Sequence, residues 1–155
     1  MQKITHLETS AKKDIVIELV SEEDFKSITK AKYFFDWKKE KENLIYKLRI
    51  DGADEILGLM AIKHFEQEER CEIKLLSVSK ENRGQNKKYK DIAENLIAFA
   101  CREAVKNYAE NACVSLFPKT ELKSHYIEKY GMLDAGKQVF LEGISLFRLL
   151  KKNEL

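Results

Sequence analysis

Paired cysteines are missing from this sequence. The chain has three (Cys71, Cys101, Cys113), far apart and without a CxxC spacing. An odd, unpaired set argues against a disulfide framework or a thiolate metal site and for buried, reduced thiols. Long apolar runs are missing too: no stretch approaches the ~18 residues that a membrane-spanning helix needs. The N-terminal MQKITHLETSAKKD has no apolar core of the kind a secretory signal carries. A cytoplasmic protein with no metal, no anchor and no membrane partner is expected. An excess of one charge is also lacking. The 28 Lys+Arg and 26 Asp+Glu are interspersed and leave a net charge of +2, so a nucleic-acid partner is not expected. Repeats and low-complexity tracts are absent.

What is there is a globular composition, 44% hydrophobic and 35% charged over 155 residues. That is enough for one domain, 1–155, with a core of its own. Residues 1–13 are polar and read as a loose lead-in. Residues 14–20 (DIVIELV) predict a strand. Ser21, followed by Glu22, Glu23 and Asp24, predicts a helix N-cap and a helix to about Lys32. Tyr33, Phe34, Phe35 and Trp37 form an aromatic cluster that either plugs the open end of a core or lines an acceptor pocket. Residues 43–50, 56–65 and 70–79 predict three strands, with connections too short for helical crossovers, hence an antiparallel meander.

The pattern changes at Cys71–Lys106, CEIKLLSVSKENRGQNKKYKDIAENLIAFACREAVK. It reads as a buried strand, a basic loop and an amphipathic helix with Ile92, Leu96, Ile97, Ala100, Ala104 and Val105 on one face. Asp91 and Glu94 fit a capping box at its start. A loop that opens a helix presents unpaired N–H groups and partial positive charge, the elements of an anion site. Residues 112–117 predict a short buried strand ended by Pro118. Residues 119–130 predict a helix closed by Gly131, and 138–141 and 144–150 two last strands joined at Glu142-Gly143. The sum is an α/β (α+β) fold, a mixed and mostly antiparallel central sheet with helices on both faces.

LLSVSKENRG followed by IAENLIAFACREA, together with ACVSLFPKTELKSHYIEKYGM, resembles the GNAT superfamily of acyl-CoA-dependent N-acyltransferases over about residues 14–151. The first run is similar to its cofactor motif, Arg/Gln-x-x-Gly-x-Gly/Ala, but the loop is about five residues longer and poor in glycine. Anchored on Arg83-Gly84, the glycine positions fall on Asn86 and Lys88. Anchored on the helix, they fall on Asp91 and Ala93, and Lys88 takes the Arg position. The resemblance implies acetyl-CoA as donor, with its pyrophosphate held among Arg83, Gly84, Gln85, Asn86, Lys87, Lys88, Tyr89, Ile92 and Ala93. It implies that backbone N–H groups of Leu76, Ser77 and Val78 face the thioester.

Such chemistry needs a base for the acceptor ammonium, a donor to the thioester oxygen and a proton for the departing thiolate. Glu72 is the acid on the central strand, a base or a salt-bridged strand residue. The resemblance places the thiolate's proton donor at Ile127, with Tyr126 beside it as the candidate. The implied function is direct transfer of an acetyl group from acetyl-CoA to a primary amine of a small molecule or peptide in a ternary complex. Two alternatives stand beside it: an acyl-CoA-binding or interaction module with impaired catalysis, and a GNAT-type toxin that acetylates aminoacyl-tRNA. A homodimer is compatible with the sequence.

Overall fold

The computed structural model describes residues 2–155. In chain order it contains β1 (Lys3–His6), β2 (Lys12–Leu19), α1 (Lys30–Tyr33), β3 (Leu44–Ile50), β4 (Gly58–Phe65), β5 (Arg70–Val78), β6 (Tyr89–Lys90) and α2 (Ile92–Tyr108). There follow β7 (Cys113–Leu116), α3 (Lys123–Tyr130), β8 (Leu133–Ala135), β9 (Gln138–Glu142) and α4 (Gly143–Lys152). The strands are hydrogen-bonded in the order β6-β1-β2-β3-β4-β5-β7-β9-β8. β5 and β7 are parallel, with α2 as the connection between them, while β1–β2, β1–β6, β2–β3, β7–β9 and β8–β9 are antiparallel. A parallel pair requires such a crossover because no tight turn can reverse the chain twice.

The chain forms two compact units, Met1–Ala61 with Leu75–Ile97, and Ile62–Lys74 with Ala98–Leu155; β4, β5 and α2 each run through both. In the first, a core forms around Tyr33, Trp37, Ile45, Ile56, Leu59 and Ala61, with Phe25, Phe35 and Leu75 packed against it. The plug reading of the aromatic cluster therefore holds for Tyr33 and Trp37, each only 1% exposed. In the second, the small residues Ala98, Ala100, Cys101 and Ala104 of α2 are buried, as are Val114 of β7, Val139 and Leu141 of β9, and Leu146 of α4.

Several expectations need correction. Residues 1–13 are not a loose lead-in. They contain β1, with Ile4 fully buried and Gln2 Nε2 donating to the Asn95 carbonyl and side-chain oxygen at 2.9 and 3.0 Å. The helix from Ser21 to Lys32 does not form. Ser21 and Asp24 do cap one another, Ser21 Oγ accepting from Asp24 N and Asp24 Oδ2 from Ser21 N. They close only a 3-10 turn, Glu23–Lys26. Ser27 Oγ then donates to the Asp24 carbonyl, and Thr29 Oγ1 accepts from Lys32 N to start α1 afresh. Short hydroxyl side chains that bond the local backbone compete with a continuous helix in this way.

Residues 144–150 form a helix, α4, and not a strand. Leu146, Leu149 and Leu150 are buried while Ile144 is 79% exposed; the spacing i, i+3, i+4 is helical, and an alternating strand would put Ile144 and Leu146 on one face. The capping box at Asp91 is also absent in its expected form. Asp91 has φ 71°, left-handed backbone and not the extended geometry of an N-cap. Gly131, by contrast, closes α3 as expected, at φ 72° with its N–H on the Ile127 carbonyl.

Candidate functional site

In the first unit the end of β5 is tied to the aromatic segment through one carbonyl. The Tyr33 carbonyl accepts from Ser77 Oγ at 2.6 Å, Trp37 Nε1 at 3.2 Å and Phe35 N at 3.0 Å. The Tyr33 hydroxyl donates to the Ile56 carbonyl at 2.7 Å, and burial pushes its pKa up to about 12, so it is a structural donor. Ser77 is thus buried by its side chain, whereas Leu76 and Val78 are half-buried. Gly58 of β4 makes room for α2: a Cβ there would lie 2.8 Å from Ile92 Cγ2 and 3.0 Å from Leu96 Cδ1.

The basic loop is built, not slack. After β5 a 3-10 turn (Lys80–Asn82) leads to Asn82, which is buried. Its Nδ2 donates to Ser79 Oγ at 2.9 Å and its Oδ1 accepts from Tyr89 N at 3.0 Å, closing the loop on itself. β6 then pairs with β1 through Thr5↔Lys90 and His6↔Tyr89, and Leu7 N donates to the Lys88 carbonyl at 2.8 Å. The Tyr89 ring meets His6 edge to face at 5.0 Å. Arg83 packs on the aromatic segment. Its guanidinium lies 3.6 Å over the Phe34 ring, and its Nε donates to the Val78 carbonyl at 3.2 Å. Phe34 itself is held at φ 73°, a conformation that costs a bulky residue energy and persists only where the surroundings impose it.

A cavity of about 350 Å³ opens beside this loop. Asn82, Asn86, Lys87, Lys88 and Tyr89 line it with His6, Leu57 and three glutamates, Glu8, Glu55 and Glu81. Arg83, Gly84, Gln85, Leu76, Ser77, Val78, Ile92 and Ala93 are not among its walls. At the start of α2 the first intrahelical bond runs from Asn95 N to the Asp91 carbonyl at 3.0 Å. The N–H groups of Ile92, Ala93 and Glu94 precede it, where a helix end attracts an anion.

In the second unit the β5–β7 ladder runs from Arg70↔Cys113 to Ile73↔Leu116, and β5 continues beyond it. Glu72 is bound on both sides, by Arg70 Nη1 at 2.9 Å and Lys74 Nζ at 2.9 Å, and its side chain is 5% exposed. Burial alone would raise its pKa. The hydrogen bonds from Lys74 and Arg70 outweigh burial and hold the carboxyl below its ordinary value. Arg70 Nη1 also donates to Ser115 Oγ of β7 at 2.9 Å. Tyr126 is half-buried in a ring cluster on α3, 5.8 Å from His125 and 6.1 Å from Tyr130, centroid to centroid.

Two roles escaped sequence reading. Phe34 was read only as one of an aromatic cluster, and its contact with Arg83 carried no signal. Asn82 could have been singled out, since an Asn just before an Arg-Gly turn is a common loop-closing residue.

No family model matches the chain, and no curated protein matches it. Solved structures do. N-acetylglutamate synthase from Neisseria gonorrhoeae, complexed with coenzyme A and L-arginine, superimposes with a TM-score of 0.61 at 13% identity over 85% of this chain; the match spans 34% of that protein's length. An N-acetyltransferase from Staphylococcus aureus Mu50 gives a TM-score of 0.55 at 18% identity, over 83% of this chain and 98% of that one. A mutant of the AtaT toxin, bound to the C-terminus of the antitoxin AtaR and acetyl-CoA, gives 0.60 at 13% identity, over 89% and 99%. The chain has the GNAT fold.

Proposed function

We propose that the protein is an acetyl-CoA-dependent N-acetyltransferase that transfers acetyl directly to an amine in a ternary complex. The observation that carries this reading is the backbone of Asp91, left-handed at the start of α2. Left-handed backbone is what glycine adopts without steric cost, and Asp91 stands at a glycine position when the motif is anchored on the helix. The helix-anchored register then follows, with Asp91 in the first glycine position, Ala93 in the second and Lys88 in the cationic one. In this reading the N–H groups of Ile92, Ala93 and Glu94 meet the pyrophosphate, and Lys87 and Lys88 supply charge where glycine amides are few. Arg83, held on Phe34 and the Val78 carbonyl, braces the loop.

In this reading the backbone of Leu76 to Val78 supplies the donor to the thioester oxygen, and Tyr126 protonates the departing thiolate. Glu72 fits the base poorly. A carboxylate stabilised by two cations accepts a proton reluctantly, so its role in this reading is to hold Arg70 and Lys74. The neighbouring complexes with coenzyme A or acetyl-CoA support the donor assignment by likeness of fold.

Thermal unfolding with and without acetyl-CoA is the test. Ligand at ~100 times its dissociation constant should add about 2.7 kcal/mol to stability; no shift at millimolar acetyl-CoA overturns the reading. Lys88→Ala should abolish most of the shift, while Arg83→Ala should lower the melting temperature and keep it. Thiol release with a panel of amines then separates an enzyme from a binding module. In that assay Tyr126→Phe should lower kcat by about 100-fold, and Glu72→Gln should leave its pH profile in place.

A further inference from the structure

A second groove, of about 540 Å³, lies in the segment between β2 and β3 and has a different character from the loop cavity. Its charged lining is Lys26, Lys30, Lys38 and Lys39 against the single acid Asp36. All four lysines are exposed, and Lys30, Lys38 and Lys39 make no ion pair among the described residues. Its apolar lining is Ile28 with Phe25, Phe35 and Trp37: Phe25 lies under Lys41 Nζ at 4.6 Å, Trp37 is buried edge to face against Phe35 at 6.2 Å, and Phe35 is the partly exposed ring left to a ligand. Residues 25–41 hold six lysines against two acids; Lys26, Lys32 and Lys41 pair with Glu23, Glu55 and Glu22, which leaves Lys30, Lys38 and Lys39 as the local excess. The whole-chain balance that argued against a nucleic-acid partner therefore conceals a local excess.

We propose that this groove binds single-stranded nucleic acid, lysines on the phosphates and a base against Phe35. Ring faces beside spaced ammonium groups suit a strand whose bases and phosphates alternate, whereas an acidic peptide would use the lysines and leave the rings idle. The proposal stands apart from the acetyl-transfer reading, since binding is measured without acetyl-CoA.

Fluorescence anisotropy of a labelled oligouridylate of about ten nucleotides, titrated at about 50 mM salt and upward, tests it. A dissociation constant between about 10⁻⁴ and 10⁻⁶ M that weakens steeply with salt is expected. Lys38→Ala/Lys39→Ala should weaken binding at least tenfold and reduce the salt slope by about 0.7 per lysine. The matched control Lys12→Ala/Lys13→Ala, exposed on β2 outside the groove, should change it far less. Phe35→Leu, which keeps apolar packing but removes the ring, should also weaken it. Absence of binding, equal loss in the control, an unchanged Phe35→Leu affinity, or poly-glutamate bound as tightly as RNA would each overturn the proposal. The lysine substitutions are on the surface and leave the core intact, so their result counts even if Phe35→Leu unfolds.

Discussion

Asp91 sits in left-handed backbone at the start of α2, in line with a pyrophosphate site that its own carboxylate would oppose. A non-glycine residue pays roughly 1–2 kcal/mol for that conformation, less for Asp than for most. Asp91→Gly should therefore raise stability by about 1 kcal/mol, a melting shift of about 2–4 °C for a chain of this length, and tighten acetyl-CoA. Differential scanning calorimetry and ligand-dependent melting read the two effects separately; unchanged acetyl-CoA affinity would place the pyrophosphate elsewhere. The buried thiols make another residue-scale prediction. Burial pushes Cys71 up to about 12 and Cys113 to about 11, from an ordinary 9.0. Their folded pKa values are raised, so their contribution is complete below pH 9.0 and is lost as pH climbs toward the folded values. The urea midpoint should fall as pH rises from about 9 toward 11, and Cys113→Ala should flatten that fall.

At the scale of elements, packing decides what local pattern leaves open. The ISLFRLL run can be read with either period, and only burial of Leu146, Leu149 and Leu150 against an exposed Ile144 makes it α4. Leu146→Ala should cost about 2–5 kcal/mol, while Ile144→Lys should stay within about 0.5 kcal/mol of the parent; equal losses would contradict the helix. Gly58 is a second case. Gly58→Ala puts its methyl against Ile92 and Leu96, so it should destabilise by about 1–3 kcal/mol and, by moving the start of α2, weaken acetyl-CoA as well. β2 to β5, α2, α3, β7 and β9 were legible because each carries enough period or punctuation within itself. β6 and β8 were not: the two residues of β6 form a strand only because distant β1 accepts them, and the three exposed residues of β8 only because they fold back on β9. The 3-10 turns were hidden for a related reason, since the hydroxyls of Ser21, Ser27 and Thr29 suit a helix start and a helix break alike.

Over the whole molecule, the fold was legible and the site only in part. Order of elements and the two motif runs led to GNAT, and the strand–loop–helix lies where they placed it. The register of the loop could not be read, because Arg83-Gly84 matches the motif by letter while Asp91 matches it by backbone angle. Charge, too, is a local quantity. A net of +2 averages the lysine-rich segment 25–41 with acidic surroundings, and electrostatic recognition responds to the local field over about 10 Å, not to the sum.

The pairing of β1 with β6 sets a timetable. Thr5 and His6 must wait until Lys90 and Tyr89 exist, so during synthesis the chain's first strand has a vacant edge while later hairpins are already closed. Loop closure over such a separation is among the last events to repay its entropy. The loop that β6 closes is then the last part to set and the first to loosen, and an N-terminal deletion should be felt there before it is felt in the core. Hydrogen exchange would show it: the amides of Leu7 and Tyr89 should exchange together, ahead of those in β3, and deleting residues 2–6 should release Tyr89 while β3 stays protected.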